Sequence, residues 1–172
     1  MAAEARAAGC DECGGRLDSA RYPRKPRGAM AKLPDEYDWR FSFCCAREDC
    51  RRRNTPPSLR FLGRRVYLGA VVVLATAMQQ GATPVRAHRL RELIGVSLRT
   101  LERWRKWWHE TIVESTFWKE ARARLSPSTD ESGFPLSLLA RFKGDEQRRL
   151  VALLRFLTPL STPVGYVPDQ RF

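Results

Sequence analysis

The sequence has no apolar stretch long enough to cross a bilayer and no secretory signal at its N-terminus. Its most apolar run, from Val66 to Met78, has thirteen residues, whereas a membrane-spanning helix needs about 20. The first residues, MAAEARAAG, lack the apolar core of a signal peptide. We therefore expect a soluble, cytoplasmic protein without a membrane partner, in which the apolar run forms a buried helix.

The sequence also lacks the motifs of common catalytic sites. It has no glycine-rich phosphate loop, no internal repeat and no pairing of a nucleophile with a base, and its two histidines, His88 and His109, stand apart from the cysteines. The acidic pairs Asp130–Glu131 and Asp145–Glu146 fall in a predicted loop and at a predicted helix start, where acids offset the helix dipole. We expect no enzymatic activity. A nuclease or recombinase fragment that uses these acids is the enzymatic alternative.

Acidic residues are few, and most of the basic residues are arginine. The chain has 31 basic and 19 acidic residues, a net charge of +12, and 26 of the basic residues are Arg. Residues 16–106 hold 21 basic and 8 acidic side chains, a net of +13, whereas the rest has a net of −1. GC-rich coding explains arginine richness but not this uneven distribution. Because Arg matches phosphate oxygens and guanine edges, the distribution favours a nucleic-acid partner.

Five cysteines form two groups, which predict a metal site. Cys10 and Cys13 precede a pair of glycines, and the second group, residues 44–50, follows an alternating stretch that predicts a strand. In an intracellular chain such clusters are more often metal sites than disulfides. The C-x2-C and C-x4-C pattern is typical of a zinc ribbon, in which four thiolates close the shell of a structural Zn²⁺.

One of the two adjacent cysteines is spare. Cys45 is in phase with the aromatic residues of the predicted strand 39–43 and leaves the shorter loop to Cys50, so Cys44 is expected to be a free, packed thiol. There are three alternatives. Cys44 is the ligand and Cys45 the spare thiol, the cysteines are buried thiols without a metal, or Cys44 acts as a redox switch. The predicted zinc ligands are Cys10, Cys13, Cys45 and Cys50.

Residues 84–108 predict two helices joined by a short turn. Thr83 and Pro84 are typical of a helix start. Gly95 ends that helix, Val96 places an apolar side chain in the turn, and Ser97 caps the second helix. This layout predicts a helix-turn-helix, whose second helix enters the major groove; an ordinary helical hairpin is the alternative. The apolar stripes are Ala87, Leu90, Leu93 and Ile94 in the first helix, and Leu101, Trp104 and Trp108 in the second.

The outer face of the second helix and two basic loops are the predicted DNA contacts. Arg99 and Arg103 are spaced to reach successive guanine edges, and Lys106 suits a phosphate. Glu102 either accepts from a cytosine amino group or forms an ion pair with Arg99 or Lys106. A solvated basic surface is the alternative for the loops, and B-form DNA suits a major-groove helix better than RNA. The loop residues expected at phosphates are Arg24, Lys25, Arg27, Arg51, Arg52, Arg53, Arg64 and Arg65.

Residues 86–107, RAHRLRELIGVSLRTLERWRKW, resemble the helix-turn-helix at the N-terminal end of bacterial insertion-sequence transposases and their accessory proteins. A zinc ribbon before such a unit is similar to arrangements in several of these families, so the resemblance covers residues 10–108. It implies recognition of a duplex site in the bacterial nucleoid, with Arg99, Thr100 and Arg103 at base-reading positions. Residues 109–172 are too short for the RNase H-like catalytic domain of such transposases.

The expected fold is mainly α with a small β zinc ribbon. We expect a zinc ribbon with a basic loop in residues 1–60, a helix-turn-helix domain in 61–125, and C-terminal helices with an extended tail in 126–172. The expected function is that of a DNA-binding accessory factor or transcriptional regulator. The alternative is an adaptor that binds a transposase or integrase, or a second copy of itself. The expected helices are Arg64–Gln80, one from Ser97 to about Leu125, Pro135–Phe142 and Asp145–Leu157.

Overall fold

A computed structural model describes residues 1–24, 26–28, 32–62, 67–79, 84–125 and 128–162. About half of the chain is helical, and the N-terminal part contains a small antiparallel sheet of three strands. This composition agrees with the predicted mainly α chain that carries a small β part. Within these ranges no helix combines the length and the apolar character that crossing a membrane requires.

In the described ranges, the N-terminal part contains five short strands, one α-helix and a 3₁₀ turn, Asp35–Asp38. The central strand β4 pairs antiparallel with β1 on one side and β5 on the other, so that Leu17 lies opposite Cys45 and Phe43 opposite Asn54. Strands β2 and β3 form a separate antiparallel pair. The elements are α1 (Ala2–Ala8), β1 (Leu17–Ser19), β2 (Tyr22–Pro23), β3 (Trp39–Arg40), β4 (Phe43–Cys45) and β5 (Arg53–Asn54).

The strand predicted before the second cysteine group is interrupted. The sequence predicts that Trp39, Phe41 and Phe43 share one strand face with Cys45. Phe43 and Cys45 are buried, but Trp39 is 37% and Phe41 is 46% exposed. Arg40 and Ser42 are buried instead. Because Ser42 and Phe43 are both buried, the alternation shifts by one residue between β3 and β4. The two exposed aromatic side chains are therefore on the opposite side from the one predicted.

Among the residues that the structure describes, the helical part contains six α-helices and a π-helical segment, Trp107–Ile112, which continues directly from α4. The predicted start of the first of these helices at Arg64 is wrong, because Tyr67 and Leu68 form extended bridges to Arg27 and Phe61. The helices are α2 (Gly69–Gln79), α3 (Pro84–Ile94), α4 (Leu98–Lys106), α5 (Thr116–Arg122), α6 (Leu136–Leu139) and α7 (Glu146–Phe156).

A serine divides the long helix that was predicted from Ser97 to Leu125. The Ser115 backbone is extended, and its hydroxyl accepts the N–H of Trp118 at 3.1 Å. The same hydroxyl donates to the Ile112 carbonyl at 2.6 Å. Ser115 therefore closes one helical segment and caps the next, α5, in the way typical of an N-cap serine. The predicted single helix is wrong for this reason.

One hydrophobic core joins the helices on both sides of residue 126. Trp108 and Trp118 are fully buried and both contact Phe134 edge to face, with ring centroids 6.2 and 4.9 Å apart. The predicted helix Asp145–Leu157 is present as α7, and its Leu153 and Leu154 are buried in the same core. Helices α2 and α4 pack against each other there, so α4 is held with one face inward and one in solvent.

A buried arginine connects the N-terminal strands to the end of the helical part. Arg40 is 3% exposed, and its Nη2 donates to the carbonyls of Pro56 at 2.7 Å and Ser161 at 3.3 Å. Burial lowers the pKa of Arg40, against an interaction with Tyr22 that raises it. The Ser58 N–H also donates to the Ser161 hydroxyl at 2.8 Å. These bonds hold β3 against the 3₁₀ turn that follows α7.

Candidate metal centre and basic helix

The structure brings together the four cysteines that the sequence singles out as ligands. Their sulfur atoms all lie within 4.8 Å of one another. Cys10 Sγ is 3.7 Å from Cys50 Sγ, and Cys13 Sγ is 3.5 Å from Cys45 Sγ. All four are free thiols rather than disulfides. The cluster is therefore close enough and chemically suited to hold a metal ion.

The first cysteine loop is closed by backbone hydrogen bonds and needs glycine at its start. The Cys10 N–H donates to the Gly15 carbonyl at 2.9 Å, and the Gly14 N–H donates to the Cys10 carbonyl at 2.8 Å. Gly9 has a φ of 83°, and a Cβ there would lie 2.9 Å from the Gly14 oxygen. Only glycine fits this conformation without strain, so the loop holds both thiols on one side.

The second loop returns Cys50 to Cys45 through a tight turn. The N–H groups of Cys50 and Arg51 both donate to the Arg47 carbonyl, at 3.1 and 3.0 Å. Arg51 has a φ of 45°, which reverses the chain direction. The Cys45 N–H then donates to the Arg52 carbonyl at 2.9 Å. This turn is how a four-residue spacer, longer than that of the first loop, still places both sulfur atoms at one point.

Cys10 and Cys45 differ in how readily they ionise. Hydrogen bonds from the backbone N–H groups of Glu12 and Cys13 lower the pKa of Cys10 to about 7. The Arg47 N–H lowers the pKa of Cys45, but burial and hydrogen bonds from the neighbouring thiols outweigh it and raise that pKa to about 12. A metal ion that binds here must therefore displace protons, because the ligand is the thiolate.

A backbone N–H group and one cationic side chain adjoin the other thiols of the cluster. The Arg52 N–H lowers the pKa of Cys50, but burial and the adjacent thiols raise it by more. The Arg47 guanidinium binds Asp49 through two bonds of 3.2 and 2.9 Å. This contact raises the pKa of Arg47, and the nearby Cys13 and Cys45 raise it further. A positive charge beside four thiolates offsets part of their mutual repulsion.

Cys44 does not belong to the cluster. Neighbouring residues of a strand point to opposite faces, and the Cys44 side chain leaves β4 on the side away from Cys45. Its Sγ contacts the Arg51 carbonyl at 3.4 Å, and it is only partly buried. The geometry therefore agrees with the choice of Cys45 as the ligand and Cys44 as the spare thiol.

The turn between α3 and α4 has the features that the sequence predicts. Gly95 has a φ of 61°, a left-handed conformation that glycine adopts easily. Val96 is 2% exposed and contributes to the helical core. The Ser97 hydroxyl accepts the Thr100 N–H at 3.3 Å and caps α4. The buried face of α4 and its continuation includes the predicted stripe, Leu101, Trp104 and Trp108.

The apolar stripe predicted for α3 is only partly described. Ile94 packs against the core, but Leu93 is 57% exposed, so its predicted place on the buried stripe is wrong. Leu93 is one residue from Ile94, and the helix turns about 100° between them, which carries Leu93 out of the contact. The side chains of Ala87 and Leu90 lie outside the described part of the chain.

Thr100, expected at a base-reading position, is turned inward. It is 7% exposed, because the buried face of this helix is wider than predicted and extends to Trp107. The Thr100 hydroxyl lies 3.0 Å from the Ser97 hydroxyl and accepts from Arg103 Nη2 at 3.2 Å. Its side chain is thus used to brace the start of α4 and to orient an arginine, and is not presented to a ligand.

The outer face of α4 carries four exposed basic side chains. Arg99 and Arg105 have no carboxylate within ion-pair distance among the residues that the structure describes. Arg103 is exposed beside Thr100, and Lys106 pairs with Glu110 at 3.5 Å. Arg105 was missed by the sequence reasoning, which considered only the centre of the polar face. Helical angles of about 100° per residue place it at the edge of that face.

The second basic loop is partly neutralised by ion pairs. Arg51 pairs with Glu48, and Arg52 pairs with Glu12 at 2.6 Å. Arg53 is exposed, and no carboxylate pairs with it in the described ranges. Of the three consecutive arginines, Arg53 is therefore the one best placed for a phosphate. The predicted contacts Lys25, Arg64 and Arg65 lie outside the described residues.

The first basic loop, which contains Arg24 and Arg27, is held by neighbouring elements over the part that the structure describes. Tyr22 and Pro23 pair with β3, and the Arg27 carbonyl accepts the Leu68 N–H at 3.4 Å. Arg24 lies over the Phe61 ring, with its guanidinium carbon 5.0 Å from the centroid. These contacts fix the described part of the loop, so it is not a freely moving basic segment.

The acidic residues considered as catalytic alternatives have structural partners. Asp145 caps α7 by accepting an N–H of its first turn at 2.8 Å. Asp130 accepts the Ser132 hydroxyl and N–H, which lower its pKa. Glu131 accepts the Trp118 indole N–H at 2.6 Å. Asp130 and Asp145 therefore cap helical segments, and Glu131 accepts a hydrogen bond from a buried tryptophan.

Comparisons of the chain with protein-family models, with curated proteins and with solved structures found no significant match.

Proposed function

We propose that this chain is a zinc-containing helix-turn-helix protein that binds duplex DNA in a sequence-specific way and has no catalytic domain. The observation that carries the proposal is the pair α3 and α4, joined by Gly95, Val96 and Ser97. The buried Val96 fixes the turn while the basic face of α4 stays in solvent. That combination is what a helix entering the major groove requires.

Zinc is the metal that we assign to the four cysteines. Four bonds of about 2.3 Å to a tetrahedral Zn²⁺ place the sulfur atoms about 3.8 Å apart, close to the 3.5 and 3.7 Å of the two measured pairs. Four thiolates leave no position for water, so the ion would be structural. It would hold the two cysteine loops and β4 together. A tetrahedral thiolate site also suits iron, and metal analysis of the purified protein distinguishes the two.

Arg99 and Arg103 are the proposed base-reading residues. They lie one helical turn apart, about 6 Å along the axis, which spans nearly two base-pair steps of about 3.4 Å. Each guanidinium can donate two bonds to the O6 and N7 atoms of a guanine. Lys106 and Arg53 would contact phosphates, which fix the register without reading sequence. The net charge of +13 in residues 16–106 supports a polyanionic partner.

Selection of bound duplexes from a random library, at two salt concentrations and with zinc-loaded protein, tests this function. We expect an enriched motif, and we expect Arg99→Ala or Arg103→Ala to weaken binding to it by about 1–3 kcal/mol. Arg53→Ala should weaken all sequences alike and reduce the salt slope by about 1. Arg155→Ala, an exposed arginine on α7, is the matched control. If Arg99→Ala and Arg103→Ala behave like this control, α4 does not read bases.

By its resemblance to transposase-associated modules, we propose that the protein serves as a mobile-element accessory factor or a transcriptional regulator. A second candidate is an adaptor that binds a transposase or integrase protein, and exposed apolar side chains on α2 and α3 favour it. Met78, Val85 and Leu93 are 58%, 76% and 57% exposed. Absent or salt-insensitive DNA binding, together with stable capture of a purified transposase, would support the adaptor.

A further inference from the structure

Trp39 and Phe41 form an exposed aromatic pair that the proposed duplex contacts do not use. They are 37% and 46% exposed, and the residue between them, Arg40, is buried. Both aromatic side chains therefore leave an extended segment on the same side, about 7 Å apart along the chain. Two large aromatic rings presented side by side to solvent suit a planar ligand that stacks on them.

A cleft opens beside this pair. It has a volume of about 260 Å³, slightly below the usual range of ligand pockets, about 300–1,000 Å³. Trp39 and Phe41 line it together with the prolines Pro56 and Pro57, and Phe61 also contributes to its wall. A small and mostly apolar cleft of this kind accommodates an aromatic ring better than a folded protein surface.

An arginine without an acidic partner among the described residues, Arg21, lies beside the cleft. The guanidinium carbon of Arg21 lies 4.6 Å from the centroid of the Trp39 ring, and no carboxylate pairs with Arg21 in the ranges that the structure covers. Arg60, which also lines the cleft, stacks over Tyr37 at 4.0 Å and pairs with Glu36 at 2.9 Å. Aromatic rings interleaved with guanidinium groups are the usual surface for unpaired nucleotides.

We propose that the cleft at Trp39 and Phe41 binds unpaired nucleobases of a DNA strand, which stack on the two rings. The proposal rests on the proposed DNA-binding function for the choice of DNA as the polymer, since the positive charge of residues 16–106 favours a polyanion over a neutral peptide. The stacking is tolerant of sequence, because every base has an aromatic face. The protein would thus prefer duplexes with an unpaired end or gap over fully paired ones.

Acidic residues next to the cleft should make binding there less dependent on salt than the duplex contacts of α4. The 3₁₀ turn Asp35–Asp38, directly before Trp39, contains three acidic residues, of which Glu36 is paired with Arg60. Phosphates are therefore attracted less strongly here than along α4. The gain in affinity from an unpaired segment should come from stacking and should change little with salt, whereas the duplex contacts of α4 weaken steeply.

The test compares three labelled probes: a blunt duplex, the same duplex with a six-nucleotide oligo-dT overhang, and oligo-dT alone. With the zinc-loaded full chain, we expect the overhang to increase affinity, and Trp39→Ala or Phe41→Ala to remove about 5- to 150-fold of that gain. Trp39→Phe and Phe41→Tyr should retain most of it. Blunt-duplex affinity should be unchanged in all four variants, which also reports on their folding.

The outcomes separate this inference from the proposed function. If blunt duplex binds through Arg99 but the overhang adds nothing, or adds the same in Trp39→Ala, the stacking site is refuted and the duplex function stands. If oligo-dT binds and needs Trp39 while blunt duplex does not bind, the stacking site stands and the α4 function fails. If oligo-dT does not bind at the cleft and a proline-rich peptide does, the proposal is also overturned.

Discussion

The stability of the N-terminal sheet should rise linearly with the logarithm of free zinc. One four-sulfur cluster is present in the described ranges, so we expect one ion per chain. A ligand that binds only the folded form stabilises it by RT ln(1 + [L]/Kd), about 2.7 kcal/mol at 100 times Kd. Above Kd, each tenfold increase in free zinc should therefore add about 1.4 kcal/mol to the free energy of opening.

The dependence should be strong because the sheet has little other core. Its buried cluster contains two large apolar side chains, Leu17 and Phe43, besides the cysteines. Burial of each gives about 1.5–3 kcal/mol, whereas a structural zinc supplies about 10–16 kcal/mol of binding energy. Without metal, we expect the sheet to open while the helical core, which contains Trp108 and Trp118, stays folded.

Hydrogen exchange measures this directly at the amide of Cys45, which donates to Arg52 across β4 and β5. The protein is equilibrated with buffered free zinc over three decades, and the exchange free energy of this amide is plotted against log free zinc. Cys44→Ser should keep the slope of about 1.4 kcal/mol per decade, and Cys45→Ser should lose most of it. A flat plot for the wild type, or equal slopes for the two variants, would refute the assignment of this metal centre.

Three further predictions concern the same structure. Thiols have a pKa of about 8.5 when the sheet is open, and in the folded sheet the pKa of Cys45 is raised to about 12 and that of Cys50 is raised as well. Zinc must therefore displace at least two protons, and its affinity in chelator competition should fall at least about 100-fold per unit as pH decreases from 8 to 6; a constant affinity would contradict this. Gly9 has a φ of 83°, and a Cβ there would lie 2.9 Å from the Gly14 oxygen, so Gly9→Ala should destabilise the sheet by more than about 1 kcal/mol. The destabilisation should exceed that of Gly14→Ala, because a Cβ at Gly14 meets open space. Ser115→Ala removes the cap of α5 and should lower the free energy of unfolding by about 1 kcal/mol in urea titrations followed by tryptophan fluorescence, and an unchanged midpoint would rule that cap out.

The features that the sequence predicts well depend on local chemistry. The cysteine spacing identifies the four clustered thiols, because a metal site constrains residue type and interval together. The turn Gly95, Val96 and Ser97 has its expected conformation, burial and cap, since these properties depend on neighbours within a few residues. Asp145 caps α7 for the same reason.

The features that the sequence misses depend on distant partners. The shift of alternation at Ser42 accompanies a hydrogen bond from its hydroxyl to the Asn54 carbonyl across the sheet, and a two-residue period carries no mark of it. Arg52 is neutralised by Glu12, forty positions away, so a run of like charges overstates the free positive charge. Thr100 is buried because the core extends to Trp107, and Ser115 interrupts a helix that its neighbours would continue.

The buried Arg40 has a consequence for the order of folding. Its bond to the Ser161 carbonyl joins residues 121 positions apart, whereas the helical core forms largely from neighbouring helices. Contacts of such long separation require a large loop to close first and tend to form late. We therefore expect substitutions at Arg40 to speed unfolding and leave the folding rate nearly unchanged, with φ-values near zero. The helices would assemble first, and docking of the metal-binding part would complete the native state.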